Sequence, residues 1–254
     1  MGVRVNDPKI LPEVIKILPP GWAQSESPYV DMLYSLVVGG QDQQANIRRF
    51  SLVYLDSARL VRTNSIEGAL HSLERGLEFY VSTQARRRVF VHAGVVGWGS
   101  KAIVIPGKPT TGKTTLVAEL VKQGATYFSD EHAVLDARGR VHPYPKPLEI
   151  YSARAGMRVK TPVADLGGMV GTRPLPVGLI LASEYRKSGQ WRVRELSRGK
   201  GVLALLARAS SARQRPEFTL STLQQVAANA RFVQGVRGEA REAASIILEE
   251  LATR

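Results

Sequence analysis

The sequence predicts an α/β protein with a mixed sheet assembled around one glycine loop. Three observations predict it. Short apolar runs bounded by Gly, Pro, Asn and Asp recur along the chain and read as buried strands. One stretch, residues 65–83, instead carries apolar residues in steps of three and four, the mark of a helix buried on one face. Near the middle, 104-VIPGKPTTGKTTLVAELV-121 sets a glycine loop between an apolar strand and an amphipathic helix. With 254 residues and 44% hydrophobic content, the chain is long enough to bury one large core or two smaller ones.

In order along the chain, residues 1–27 are rich in proline and polar groups and predict a surface segment. MLYSLVVGG and FSLVYLD read as strands, with Gly39-Gly40 opening the connection between them, and ARLVRTN reads as a third. The helix over 65–83 turns Ile66, Leu70, Leu73, Leu77 and Val81 to one side, with Asn64 or Ser65 as its N-cap. These elements form an N-terminal α/β region, 1–87, and the remainder, 88–254, carries the glycine loop. RVFVHAGVV is a buried strand, GWGS is turn chemistry, and KAIVIPG is the strand that feeds the loop. A helix over 114–124 follows, with Gly124 as its stop signal. TYFSD is then a strand, and AVLDARGRVHPY a hairpin turning at Ala137-Arg138-Gly139. PVGLILASEY reads as a buried strand with WRVRELS as its neighbour. The C-terminal part is helical over 201–209, 220–230 and 239–252, with the strand ARFVQGV before the last helix.

Composition excludes several classes. There is no cysteine, hence no disulfide, no thiolate nucleophile and no cysteine-ligated metal. No signal peptide and no apolar run of membrane-spanning length is legible, which predicts a cytoplasmic protein with no membrane partner. The formal net charge of +13 favours anionic partners. Aromatic content is only 7%, and the basic clusters at Arg86–Arg88 and at Arg208, Arg213 and Arg215 carry no interleaved aromatic residues for base stacking. An acidic peptide or protein substrate therefore explains the charge at least as well as nucleic acid does.

The spacing G-x-x-x-x-G-K-[ST] is met by Gly107, Gly112, Lys113 and Thr114. Glycines at these positions let the backbone aim its N–H groups inward, and the following helix adds its positive dipole end. The loop Gly107, Lys108, Pro109, Thr110, Thr111, Gly112, Lys113, Thr114 and Thr115 is thus a candidate cradle for the phosphates of ATP. Lys113 supplies a charge for the β- and γ-phosphates and the Thr114 hydroxyl a ligand for Mg²⁺. One short helix later, YFSDE delivers Asp130 and Glu131, two carboxylates suited to hold Mg²⁺ and to accept a hydroxyl proton. If their strand neighbours the loop strand, it delivers them beside the phosphates. His92 ends the apolar run RVFVH one strand before the loop; taken alone, such a histidine is an ordinary hydrogen-bonded core residue.

The succession VHAGVV, IPGKPTTGKTTLVAEL, GATYFSDEHAVL and HPYPKPLEI resembles the catalytic domain of HPr kinase/phosphorylase. It is most similar to the smaller HPr-kinase-related proteins, which share a nucleotide-site design with ATP-dependent phosphoenolpyruvate carboxykinase. The resemblance is specific over residues 88–150. It implies a P-loop core of that type, with a mixed sheet around the loop, the N-terminal α/β segment and C-terminal helices. It also implies a Mg²⁺- and ATP-dependent kinase acting on a serine of a peptide or protein, a precursor peptide of a natural product among the options, and admits a homo-oligomer. Carried onto this chain, Asp130, His92 and Lys113 are the catalytic candidates, and Thr114, Asp130 and Glu131 the metal ligands. The sequence departs from the family in three places: Pro109-Thr110 stands where Ser-Gly is usual, Glu131 where a second Asp is usual, and 148-LEIYSARAG-156 only loosely echoes the Glu-Ile-Arg-Gly segment. That segment is tied to HPr recognition and phosphorolysis, so the resemblance points away from HPr itself. Arg154 and Arg158, on a loop after the site, read either as a clamp for phosphate or an acidic substrate or, the favoured reading, as solvated loop residues. A nucleotide-binding regulatory module without transfer, a small-molecule kinase, and an ATPase or nucleic-acid-associated protein are the competing readings.

Overall fold

A computed structural model of the chain describes residues 1–39, 50–107 and 111–252. Its contacts divide the chain into two compact units, Met1–Val81 and Ser82–Arg254. Gly40 of the first glycine pair, and Lys108, Pro109 and Thr110 of the loop, lie outside the described residues.

The first unit is a four-stranded sheet in the order β1 (Gly2–Val5), β2 (Leu33–Val37), β3 (Ser51–Leu55) and β4 (Ala58–Thr63). The N-terminus is not merely a surface segment: β1 pairs parallel to β2, and the short helix α1 (Leu11–Lys16) buries Val14. Proline and polar residues concealed this, because the alternation in Gly2–Val5 covers only four positions. Helix α2 (Ile66–Gln84) turns Ala69, Leu73 and Leu77 into a core with Tyr34, Leu36 and Val53. Ser65 is its cap, its Oγ accepting from the Gly68 N–H at 3.1 Å.

The second unit holds an eight-stranded mixed sheet. Strand β5 (Val89–Trp98) pairs antiparallel with β6 (Lys101–Pro106), and the turn between them is confined to Gly99-Ser100. From β6 the chain passes through the glycine loop into α3 (Lys113–Lys122). It returns along β7 (Thr126–Ser129) and β8 (His132–Leu135), which pair in succession with the second and first halves of β5. The hairpin continues into β9 (Arg140–His142), and a separate two-stranded ribbon, β10 (Leu148–Ser152) and β11 (Met157–Thr161), follows. Strand β12 (Leu175–Tyr185) runs parallel to β6. Beyond β13 (Arg192–Glu195), α4 (Arg198–Leu206) and α5 (Pro216–Asn229), strand β14 (Arg231–Arg237) runs parallel to β12 and leads into α6 (Ala240–Ala252). The segment WRVRELS does not neighbour β12: β14 lies between them, and β13 pairs antiparallel with it at the sheet's edge.

Side chains alternate between two cores, as strand geometry requires. Ile103, Ile105, Leu179, Leu181 and Val233 pack beneath α3 and α6. Val91, Ala93, Val95, Val104 and Ile180 pack against α4 and α5 on the opposite face. Because β6, β12 and β14 are parallel, their carboxyl ends meet at one edge of the sheet, the edge where open α/β sheets bind ligands. Among the described residues, no helix is long and apolar enough to cross a membrane.

The β8–β9 hairpin is fixed by one carboxylate. Asp136 Oδ1 accepts from the Arg138 and Arg140 backbone N–H groups at 2.9 and 3.0 Å, and Oδ2 meets His142 Nε2 at 2.9 Å and Arg140 Nη2 at 3.0 Å. Burial pushes its pKa up, but the hydrogen bonds from His142 and Arg140 outweigh that and hold it down at about 2. A depressed folded-state pKa contributes stability that is present above the ordinary value of 3.8 and lost as the pH falls through about 2. Asp136→Asn is therefore expected to lower the melting temperature at pH 7, the gap from wild type closing between pH 4 and 2. A gap that stays constant over that range in thermal melts would refute the assignment.

Candidate active site

The site grows from the end of β6. Gly112 precedes α3 with φ of 77°, a left-handed conformation that an L side chain adopts only under strain. A Cβ there would also stand 2.5 Å from Arg237 Nη2 and force that guanidinium to shift. The Gly112 carbonyl starts the helix by accepting from the Leu116 N–H at 3.0 Å, which leaves the first N–H groups of α3 open at the loop. Lys113 opens the first turn and is 9% exposed, Thr114 beside it is half-buried, and Thr115 points to solvent. Thr111 and Gly107 border the loop on its other side.

Asp130 and Glu131 interrupt what is otherwise one long strand, β7 running into β8 along the same edge of β5. Their strand does not neighbour the loop strand β6, because β5 lies between them. The gap is bridged because β5 carries Gly94 at the crossing point. A Cβ on Gly94 would meet Val117 Cγ2 at 2.5 Å, Lys113 Cγ at 3.2 Å and Asp130 Oδ1 at 3.6 Å. Its absence lets α3 and Asp130 close over the strand. The Asp130 carboxylate is 7% exposed, and its Oδ1 has no hydrogen-bond partner among the described residues. Burial, with a smaller push from the Glu131 charge, lifts its pKa to about 7 against the opposing pull of Thr114 and Lys113.

His92 lies on the same face of β5 as Gly94. Its Nε2 is 2.9 Å from Lys113 Nζ, and its Nδ1 is 3.7 Å from Glu131 Oε2. An ammonium only donates, so Lys113 fixes Nε2 as the acceptor and leaves the Nδ1–H facing the Glu131 carboxylate. Burial lowers the Lys113 pKa, the charges of Asp130 and Glu131 raise it, and Arg208 lowers it. Thr114, Lys113, Asp130, His92 and Glu131, from three separate segments, thus converge at the N-terminus of α3.

Sequence reasoning missed Arg237 and placed Arg208 and Arg158 without their contacts. Arg237, 2% exposed at the end of β14, donates from Nη2 to the Gly112 carbonyl at 2.7 Å and from Nη1 to the Gly238 carbonyl at 3.1 Å. The available signal was its register: it falls on the face of β14 that turns Val233 into the core. Arg208 accepts the His92 N–H at its carbonyl at 2.9 Å, continuing the sheet where β6 stops. Arg158 is not a loop residue but lies on β11, opposite Tyr151, and its charge helps to hold the Asp130 pKa down; Arg154 sits in the turn of that ribbon. Arg215, a member of the second basic cluster, donates to the Ala85 and Arg86 carbonyls and stacks 4.4 Å over Phe218.

No family model matches the chain, and no curated protein matches it significantly. Among solved structures, the HPr(Ser) kinase/phosphatase from Coxiella burnetii is similar at 13% identity, covering 65% of this chain and 94% of that one, with a TM-score of 0.37. A likeness of that degree carries no argument about function, and the reading below rests on the site itself.

Proposed function

We propose that the chain is an ATP-dependent phosphotransferase of the HPr-serine-kinase-like type, moving the γ-phosphoryl of ATP to a hydroxyl, with a serine of a peptide or protein as the acceptor class. The observation that carries this reading is the buried Asp130 carboxylate, beside Thr114 and Lys113 at a helix N-terminus that follows a glycine loop. A structural carboxylate of that burial would have its oxygens satisfied; Asp130 Oδ1 does not.

The loop N–H groups and Lys113 hold the β- and γ-phosphates, for which Lys113 exchanges its contact with His92. The acceptor oxygen bonds to the γ-phosphorus as the bond from that phosphorus to the β–γ bridging oxygen breaks. The electron pair leaves on ADP, and the hydroxyl proton passes to Asp130. A pKa near 7 suits a base at neutral pH. His92, flanked by Glu131 and Lys113, is a positioning residue that steers the ammonium. The Thr114 hydroxyl and the unpartnered Asp130 Oδ1 form a hard oxygen pair that fits Mg²⁺, an ion held by one or two carboxylates together with phosphate oxygens. When bound, Mg²⁺ neutralises charge on the transferring group. Glu131 is turned toward His92 and is the less direct ligand of the two carboxylates.

The test is transfer of label from γ-labelled ATP to serine peptides and to a pool of hydroxylated metabolites, with the site of label located by mass. Wild type is expected to label a hydroxyl, and Lys113→Ala to lose at least ~100-fold in rate with weakened ATP binding, as for loss of a phosphate-stabilising charge. Tight ATP binding with no labelled acceptor would overturn the reading in favour of a regulatory module.

A further inference from the structure

A cavity of about 680 Å³ opens beside the loop, on the face of the sheet away from α3. Its floor is built from Pro106 on β6, Ala182 on β12 and Gln234 on β14, and its walls from β13 and α4. Four arginines line it, Arg186, Arg192, Arg194 and Arg208, against one carboxylate, Glu184. Strand register explains why they converge. Arg192 and Arg194 stand opposite Val236 and Gln234 and share their face, while Val193 between them packs toward the other core. Among the described residues, the guanidinium groups of Arg186, Arg194 and Arg208 make no ion pair, and Arg192 only donates to Gln190 at 3.3 Å.

The cavity shares a wall with the reacting end of the site. Arg208 lines it and also bonds through its carbonyl to the His92 N–H, the residue that holds Lys113. The adjoining Ala209 bridges to Val91 on the same strand. In a triphosphate held by Lys113, the nucleoside is the part furthest from the transferred phosphoryl. A cavity that abuts the transferring end is therefore placed for the acceptor and not for the base. Its volume is that of a pocket for one small molecule or one short peptide segment.

We propose that this arginine-lined cavity is the acceptor site, and that the acceptor carries an anionic group, a carboxylate or a phosphate monoester, close to the hydroxyl that is phosphorylated. This deepens the phosphotransferase reading and rests on it. The guanidinium forks of Arg192 and Arg194 take the anion, and Arg208 faces the hydroxyl end. An acidic peptide and a small phosphorylated alcohol present the same chemistry, so the test carries an arm for each.

The experiment measures binding without turnover, by calorimetry on the full chain. One probe is a serine-to-alanine peptide flanked by glutamates, with its glutamine counterpart as control; the other is a sugar phosphate, with the neutral sugar as control. At least one anionic probe is expected to bind wild type, its control at least tenfold more weakly, with affinity falling as salt rises. Arg192→Gln/Arg194→Gln, at exposed positions, is expected to weaken that probe roughly tenfold while ATP affinity stays as in wild type. Which probe responds identifies the source of the anion. If the double substitution weakens ATP instead, the cavity is the nucleoside site and the proposal falls. It falls too if neither anionic probe binds, or if binding ignores the two arginines. Arginine-dependent anion binding without phosphoryl transfer would leave the site standing as an anion receptor and refute the kinase reading alone.

Discussion

Asp130→Asn is expected to lower phosphoryl transfer by about 10²–10⁴-fold, the contribution of a positioned base, and at the same time to stabilise the metal-free protein above pH 7. The two effects have one cause. Asp130 is 7% exposed, and burial raises its pKa to about 7 from an ordinary 3.8. A carboxyl with a raised folded-state pKa contributes stability that is fully present below about pH 4 and lost as the pH rises through 7, where the fold must carry the charge. At 1.36 kcal/mol per unit, the penalty above pH 8 reaches up to ~4 kcal/mol in the absence of metal. Asparagine has nearly the same shape and stays neutral. Melting temperatures measured from pH 5 to 9 in chelator should therefore diverge as pH rises, with the variant above wild type. Parallel curves, or a variant that still transfers phosphoryl at the wild-type rate, would remove Asp130 from the role of base. A buried carboxylate kept at such a cost to the apoprotein is accounted for by what it does with ligands bound.

The parts of this site legible in the sequence are those held together by short-range rules. Gly107, Gly112, Lys113 and Thr114 are tied by the spacing of one loop, and the strand before and helix after it are set by local periodicity. The structure puts Lys113 and Thr114 beside Asp130, and His92 beside Lys113. The strand order escaped the sequence. Nothing local says that β5 lies between β6 and β7, or that β14 separates β12 from β13, because pairing is decided by contacts between distant segments. The arginines escaped for the same reason. Arg237 reaches Gly112 across 125 positions of sequence, and Arg192 and Arg194 meet Arg208 only once β13 and α4 enclose the same space. Composition registered them as a basic excess of the whole chain without saying where they gather.

Arg237→Met is expected to weaken ATP binding about 30-fold while changing the melting temperature little, and this split separates a support of the loop from a support of the fold. The guanidinium is 2% exposed; it bonds to the Gly112 and Gly238 carbonyls and lies 5.6 Å from the centre of the Tyr185 ring. No carboxylate pairs with it among the described residues, although the Glu239 charge, whose carboxylate accepts from the Tyr185 hydroxyl at 2.9 Å, favours its protonated form. Burial dominates and lowers its pKa, so the folded protein carries an incompletely compensated charge. Methionine keeps the apolar stem and removes that penalty, which offsets the two lost charge-assisted hydrogen bonds of about 1.5–3 kcal/mol each. The Gly112 carbonyl retains its helical bond to the Leu116 N–H and so is not orphaned. What is not offset is position. Without the guanidinium beneath it, nothing else among the described contacts fixes the left-handed turn at Gly112 from the β14 side, and the positive charge behind the phosphate cradle is gone. A loss of ~2 kcal/mol in ATP affinity corresponds to the 30-fold expected. Arg237→Lys should recover the charge but not the fork, and so regain only part of the affinity. Titration of ATP into the three proteins, alongside thermal melts, decides the matter. Unchanged ATP affinity in Arg237→Met would assign the residue to the core, and a collapse of the melting temperature would show that the fold depends on the charge.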